Sequence, residues 1–206
     1  MSEVELNPTF DGFRKKLGRI VYVNIDGDTF ARRYRKPKNP NTPAQIEVRE
    51  SFKKLSEDWK MMDGVLKQSW SEIAKRKKRV KGYNAFIGAN STRQRAGEFL
   101  VLCPALGIQD TLPFTPSPGP NPGEISLTFT PANGGRHLTV FSQIKEEGRA
   151  SGPLTRHDAG ADAPSPYLVT GLESGREYHL YAVLTDAPYE TAARVSASTG
   201  GAGMAG

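Results

Sequence analysis

The sequence predicts an α+β protein in two domains: a small basic β-hairpin with three short helices, followed by an all-β half. Three observations lead there. Apolar residues recur at helical spacing between Val48 and Ile87, they alternate at strand spacing from Ile125 onward, and the charge reverses between the two halves. Residues 1–104 hold 22 Lys and Arg against 12 Asp and Glu, whereas residues 105–206 hold 6 against 10. A basic half joined to a mildly acidic one points to two modules with different partners.

In chain order, residues 1–13 form an arm with little to bury, followed by the cations Arg14-Lys15-Lys16. Arg19 to Asn24, rich in Ile and Val, reads as a strand, and Asp26-Gly27 is a strong two-residue hairpin signal. The return strand, Asp28 to Lys36, places Phe30, Arg32, Tyr34 and Lys36 on one face and Ala31, Arg33 and Arg35 on the other. Aromatics interleaved with arginines suit a surface that stacks on bases and pairs with phosphates. The same pattern also describes an edge strand protected by charge against aggregation. Asn24 to Asp28 is rich in oxygen, but it lacks the later bidentate Glu of a calcium loop and reads as a tight turn.

The stretch Asn39-Pro40-Asn41-Thr42-Pro43-Ala44-Gln45 opens the first helix, with Thr42 as N-cap and Pro43 at the first helical position. Val48, Phe52, Leu55, Trp59 and Met62 make one apolar stripe. Leu66, Trp70 and Ile73 begin a second stripe after Asp63-Gly64, and Tyr83, Phe86, Ile87 and Asn90 a third after Gly82. Short amphipathic helices cannot bury their faces alone, so these should pack around the two tryptophans. The second helix ends in Lys75, Arg76, Lys77, Lys78 and Arg79, with Lys81 beyond. The helix macrodipole accounts for one or two cations there, and the excess suits phosphate contacts or an assembly surface.

Residues Arg32 to Asn90, with the turn from Asn39 to Gln45, Arg49, Phe52, Trp59, Trp70 and Gly82-Tyr83-Asn84-Ala85-Phe86, resemble a family of uncharacterised prokaryotic and phage-encoded domains. Those domains share a basic hairpin, an Asn-Pro-x-Thr-Pro-Ala-Gln turn and a closing Tyr-Asn-x-Phe helix. The resemblance implies a fold and no agreed activity. The spacing of Phe52, Trp59 and Trp70 is loosely similar to HMG-box DNA-bending domains, although no exposed wedge residue stands out.

Pro104, Pro113, Pro116, Pro118, Pro120 and Pro122 suggest a stiff connector, or, around Ile108 to Phe114, the first strand of the β half. Ile125, Leu127 and Phe129 alternate with Ser126, Thr128 and Thr130 as a half-buried strand, and His137 to Ile144 supplies another after the Asn133-Gly134-Gly135 turn. The segment Tyr167 to Val183, with Leu172 and Tyr178 six residues apart, resembles the E–F region of fibronectin type III domains. That resemblance implies an immunoglobulin-like β-sandwich in which Tyr178 makes a tyrosine-corner hydrogen bond. Phe129 stands where the family usually has Trp. The expected division is a basic hairpin and helical module over 1–103, a Pro-rich linker over 104–123, the sandwich over 124–199 and a flexible tail over 200–206.

Catalysis is not expected. The three histidines all fall in the β half, the His157, Asp158 and Asp162 cluster lies in a Gly/Ala-rich loop, and no metalloprotease, nucleophile-elbow or phosphate-loop motif is present. Cys103 is the sole cysteine, so neither a disulfide within the chain nor a Cys-based zinc site can form, and no cofactor or metal is expected. The first residues are acidic and lack the apolar core of a classical signal peptide, which also discounts the Asn90-Ser91-Thr92 sequon. No apolar run approaches the roughly 20 residues that span a bilayer.

The expected function is that of a non-enzymatic structural protein. Its basic module binds or coats nucleic acid, mainly along the phosphate backbone of duplex DNA, and its sandwich faces outward. The contacting residues would be Arg19, Arg32, Arg33, Arg35, Lys36 and Lys38 on the hairpin and turn, with Lys75, Arg76, Lys77, Lys78, Arg79 and Lys81 at the helix end. Self-association into an assembly, in the cytoplasm or in a virion or other extracellular particle, fits this reading. The alternative is a decoration or adhesion protein acting only through protein–protein contacts.

Overall fold

The computed structural model describes residues 2–3, 15–36, 38–76, 81–131 and 135–206. The chain divides into two compact units, Met1–Thr42 and Pro43–Gly206.

The first unit is an antiparallel sheet of four strands: β1 (Ser2–Glu3), β2 (Lys15–Leu17), β3 (Ile20–Ile25) and β4 (Asp28–Arg33), in the order β1-β4-β3-β2. Asp26 and Gly27 both take positive φ, 52° and 101°, the geometry of the turn that their sequence requires. β4 ends at Arg33, three residues earlier than expected. The rest of the expected arm, residues 1 and 4–13, lies outside the described residues. Among the described residues of this unit only Thr29 is fully buried, so the sheet has almost no core of its own.

The second unit begins at Pro43, where the Pro signal predicts a helix start, with helices α1 (Pro43–Met61), α2 (Gly64–Arg76) and α3 (Gly82–Ala96). Phe86 lies between the two tryptophans, its ring centre 5.6 Å from each. The face that α1 buries is rotated from the expected stripe and shares only part of it. Ser51, Leu55 and Asp58 are buried, with Met62 just beyond the helix, whereas Val48 and Phe52 are about half exposed. Ser51 and Asp58 are polar, so an apolar pattern could not reveal that face.

After the helices come β5 (Phe114–Pro118), β6 (Ile125–Phe129), β7 (His137–Glu146), β8 (Arg149–Ala150), β9 (Thr155–Ala161), β10 (Tyr167–Val169), β11 (Glu177–Thr185) and β12 (Thr199–Met204). They form a three-stranded sheet, β10-β6-β5, and a larger sheet, β12-β11-β7-β8 with β9 also on β7. One core lies between the sheets, where Ile125 and Leu127 meet Leu138, Val140, Leu180 and Leu184. A second core lies on the opposite face of the larger sheet. There Phe141, Tyr181 and Val183 pack with Leu55, Leu66, Trp70 and Phe86 of the helices. Residues Tyr178 to Thr185 are accordingly all buried, because β11 is covered on both sides.

This arrangement corrects the expected division of the chain. Residues 104–123 do not hold a helical module apart from a sandwich, since both contribute to one continuous core. Trp70 Nε1 donates to the Leu102 carbonyl at 2.7 Å, and Leu106 exchanges backbone bonds with Val195. Ile108 and Leu112 are buried, and Pro116 and Pro118 sit in β5, which pairs with β6 alone in its sheet, a position where a missing N–H is tolerated. Residues 200–206 are likewise not a free tail. β12 pairs with β11 from Glu177↔Met204 to Ala182↔Thr199. Its glycines fit because a Cβ at Gly200 would lie 2.5 Å from the Phe99 ring, and one at Gly201 2.7 Å from Phe114.

Candidate nucleic-acid interface

Gly18 and Arg19 form the turn between β2 and β3, and Arg32 and Arg33 close β4. Arg35, Lys36 and Lys38 follow the strand, and Arg19, Arg32, Arg33, Arg35, Lys36 and Lys38 are all exposed. Pairing puts Lys16, Val21 and Arg32 side by side, and Tyr34 N–H donates to the Arg19 carbonyl at 2.7 Å, extending the ladder by one bond. The result is a concavity of about 440 Å³ lined by Lys15, Lys16, Arg32, Arg33, Tyr34 and Arg35 over Val21. Every charged residue lining it is a cation. Lys16 Nζ sits 4.0 Å from the centre of the Tyr34 ring, a cation–π contact that holds the ammonium at the cavity wall.

The cations expected from the hairpin sequence do not include Lys15 and Lys16, which the strand pairing brings into the concavity. Their signal is the cation run just before the first strand, but β2 is too short to show a period. None of the lining cations is ion-paired among the described residues.

The helix-end residues belong to the second unit. Lys75 and Arg76 are the last two residues of α2, both exposed, and Lys75 Nζ pairs with Glu72 at 2.5 Å. Lys77, Lys78 and Arg79 lie outside the described residues. Lys81 is the N-cap residue of α3 and is exposed, without a side-chain capping bond.

The polar cluster at His157 does not assemble. His157 Nε2 is 2.8 Å from Ser142 Oγ on the neighbouring strand, and Ser142 is itself buried. Burial holds the His157 imidazole below its ordinary range. Asp158, next along the strand, points to the other face and accepts from the Gly160 N–H at 3.0 Å. Cys103 is fully buried, donates to the Ser196 carbonyl, and has its thiol pushed up to about 12 by desolvation. Such a thiol is unreactive at neutral pH. Asn90 of the sequon is also fully buried and is used structurally, bonding Val101 through both its amide nitrogen and its oxygen. Among the described residues no three metal-binding side chains converge, and no helix is long and apolar enough to cross a membrane.

At the sandwich, Tyr178 is buried and its hydroxyl accepts the Glu173 N–H at 2.8 Å, closing the corner that Leu172 begins. Among solved structures, 48% of this chain aligns with the fibronectin type III domain of human collagen alpha-1(XX), at 15% identity over 88% of that chain, with a TM-score of 0.38. The same share aligns with an Fn3-like protein from Clostridium thermocellum, at 16% identity over 96% of that chain and a TM-score of 0.34. It also aligns with the FN5 domain of Drosophila Lar, at 18% identity over 95% of that chain and a TM-score of 0.29. No family model matches the chain, including the stretch from Arg32 to Asn90, and no curated protein matches it. The assignment of a two-sheet sandwich rests on the strand order and the Tyr178 corner.

Proposed function

We propose that the protein is a non-enzymatic binding protein that holds nucleic acid by its phosphate backbone against the N-terminal sheet, with duplex DNA as the expected form. Arg19, Arg32, Arg33, Arg35, Lys36 and Lys38 are the contacting cations, joined by Lys15 and Lys16. The observation that carries this reading is the concavity whose charged walls are all cationic. Such a surface releases counterions when it meets a polyanion, and it reads charge and spacing without reading base edges. The run from Lys75 to Arg79, with Lys81, is a second set of candidate contacts on the other unit. The helix-covered sandwich is the structural part, available for self-association or display.

The test is a titration of the intact chain against a short DNA duplex across a salt series. With about six phosphate contacts, affinity should fall roughly a thousandfold between about 50 and 200 mM salt. A lack of binding at low salt removes the nucleic-acid reading.

Val48 and Phe52, one turn apart on α1 and about half exposed, favour the second reading, contact with another protein. Phe52 meets Tyr83 edge-on at 6.4 Å, which makes a small aromatic surface there. On that reading association is insensitive to salt and is lost in Phe52→Ser.

A further inference from the structure

A cleft of about 710 Å³ opens in the second unit between α1, the C-terminal end of α3 and the β7–β8 hairpin. Two of the polar residues that line it are almost fully buried. Ser51 is 6% exposed, and its hydroxyl has no hydrogen-bond partner. Gln94 is 5% exposed and donates Nε2 to the Ala150 carbonyl at 2.9 Å, which leaves its Oε1 without a donor. Buried oxygens removed from water without a donor are destabilising, so a group that supplies N–H or O–H to them is favoured.

The charged groups around the cleft are unequally committed. Lys54 pairs with Asp58, Lys145 with Glu177 at 2.6 Å, and Arg149 with Glu47 at 2.7 Å. Arg176 pairs with Glu173 at 3.3 Å and Glu146 at 3.5 Å. Every lining cation therefore has a carboxylate. The carboxylates of Glu50 and Glu147, both exposed on the rim, have no such partner among the described residues. An incoming anion finds no uncommitted cation and is repelled by the two free carboxylates. A metal ion is also disfavoured, since among the described residues no three acidic, His or Cys groups converge.

What the site offers is acceptors: two free carboxylates at the mouth, and an amide oxygen and a hydroxyl at the wall. We propose that this cleft binds an organic cation carrying several N–H donors, an alkylammonium or guanidinium group. Glu50 and Glu147 neutralise its charge, and Gln94 Oε1 and Ser51 Oγ accept its hydrogens. The group can come from a free small molecule or from a Lys or Arg side chain on a peptide, and the chemistry of capture is the same. The volume admits the head group together with its alkyl chain. The cleft shares no residue with the basic sheet and has the opposite preference, so the two proposals stand or fall independently.

The experiment titrates the intact isotope-labelled protein by NMR with three probes: agmatine, the capped peptide acetyl-Gly-Arg-Gly-amide, and tetramethylammonium, which has the charge without the N–H donors. Agmatine or the peptide should shift the Gln94 side-chain amide and the backbone signals of Ser51 and Glu147. The tighter of the two identifies the source. The rim variant Glu50→Gln/Glu147→Gln removes two exposed charges and leaves the packing alone. It should weaken binding about tenfold, the worth of two partly screened ion pairs. Ser51→Ala should weaken binding further while keeping the same selectivity. The proposal is overturned if neither guanidinium probe shifts these signals, if tetramethylammonium binds as tightly as agmatine, or if the rim variant binds unchanged.

Discussion

Gln143 on β7 donates its side-chain amide to the Asp58 carboxylate on α1 at 2.8 Å, which ties the helices to the sheet beneath them. Asp58 is 2% exposed and also receives Lys54 Nζ. Desolvation by burial raises its carboxyl above the ordinary range, against the pull of Lys54 and Gln143. A carboxyl raised in the folded state contributes stability that is fully present below the unfolded value and lost as pH rises through the folded one. Asp58→Asn removes this titration and keeps an acceptor for Gln143. The melting temperature of the variant relative to the native protein should therefore rise as pH increases upward from about 3.8. Thermal melts across that window check it, and a pH-independent difference would contradict the assignment.

Trp70 tests whether the helices and sandwich share one core. Its ring is 4% exposed and its Nε1–H reaches the Leu102 carbonyl. Trp70→Ala should cost about 3–5 kcal/mol. Because the lost contacts belong to both layers, tryptophan fluorescence and the β-sheet circular dichroism signal should move together in one denaturant transition. Two separated transitions would restore the picture of independent modules.

Tyr178→Phe removes only the hydroxyl and leaves the Glu173 N–H without its acceptor. The expected loss is about 1–3 kcal/mol, and Tyr178→Ala should cost about 3 kcal/mol or more. Equilibrium unfolding in urea measures both. Equal costs for the two variants would mean that the ring contributes nothing beyond its hydroxyl.

Glycines in different settings should respond oppositely. Gly200→Ala drives a methyl into Phe99 and should destabilise by about 1–3 kcal/mol. Gly88→Ala, inside α3 with nothing within 4 Å of the new carbon, should stabilise by about 0.5–1 kcal/mol. Melting temperatures of the two variants, displaced in opposite directions, check the docked position of β12.

Local chemistry is legible in the sequence wherever one residue type dictates one geometry. Asp26-Gly27 announces its turn, Pro43 the helix start, and Leu172 with Tyr178 the corner. The layering is not legible. The reversal of charge near residue 104 suggests a module boundary, yet surface charge says little about which buried faces meet. The mark of a shared core is the unbroken buried run Tyr178 to Thr185, which a sheet with one wet face would not carry. The Gly-rich end reads as flexible because its fit depends on Phe99 and Phe114, which are distant in sequence. On the basic sheet, Arg32, Arg33 and Arg35 are readable, and Lys15 and Lys16 join them only through cross-strand pairing.

That pairing makes the functional prediction specific to one cluster. If the concavity is the nucleic-acid interface, Arg32→Ala/Arg33→Ala/Arg35→Ala removes three of its cations at exposed positions, so folding is nearly unaffected. Each lost phosphate contact lowers the slope of log affinity against log salt by about 0.9, so the triple variant should flatten it by about 2–3. Lys36→Ala, beyond the strand and outside the lining, should change the slope by no more than about 1. Affinity should fall alike for unrelated duplex sequences, because these cations meet phosphates and not base edges. Lys75→Ala/Arg76→Ala provides the comparison on the second unit, where Lys75 is already paired with Glu72. Fluorescence anisotropy with the intact chain and its variants measures all of these. A slope unchanged in the triple variant, or flattened more by the helix-end pair, would remove the sheet from the interface and move the site to the end of α2.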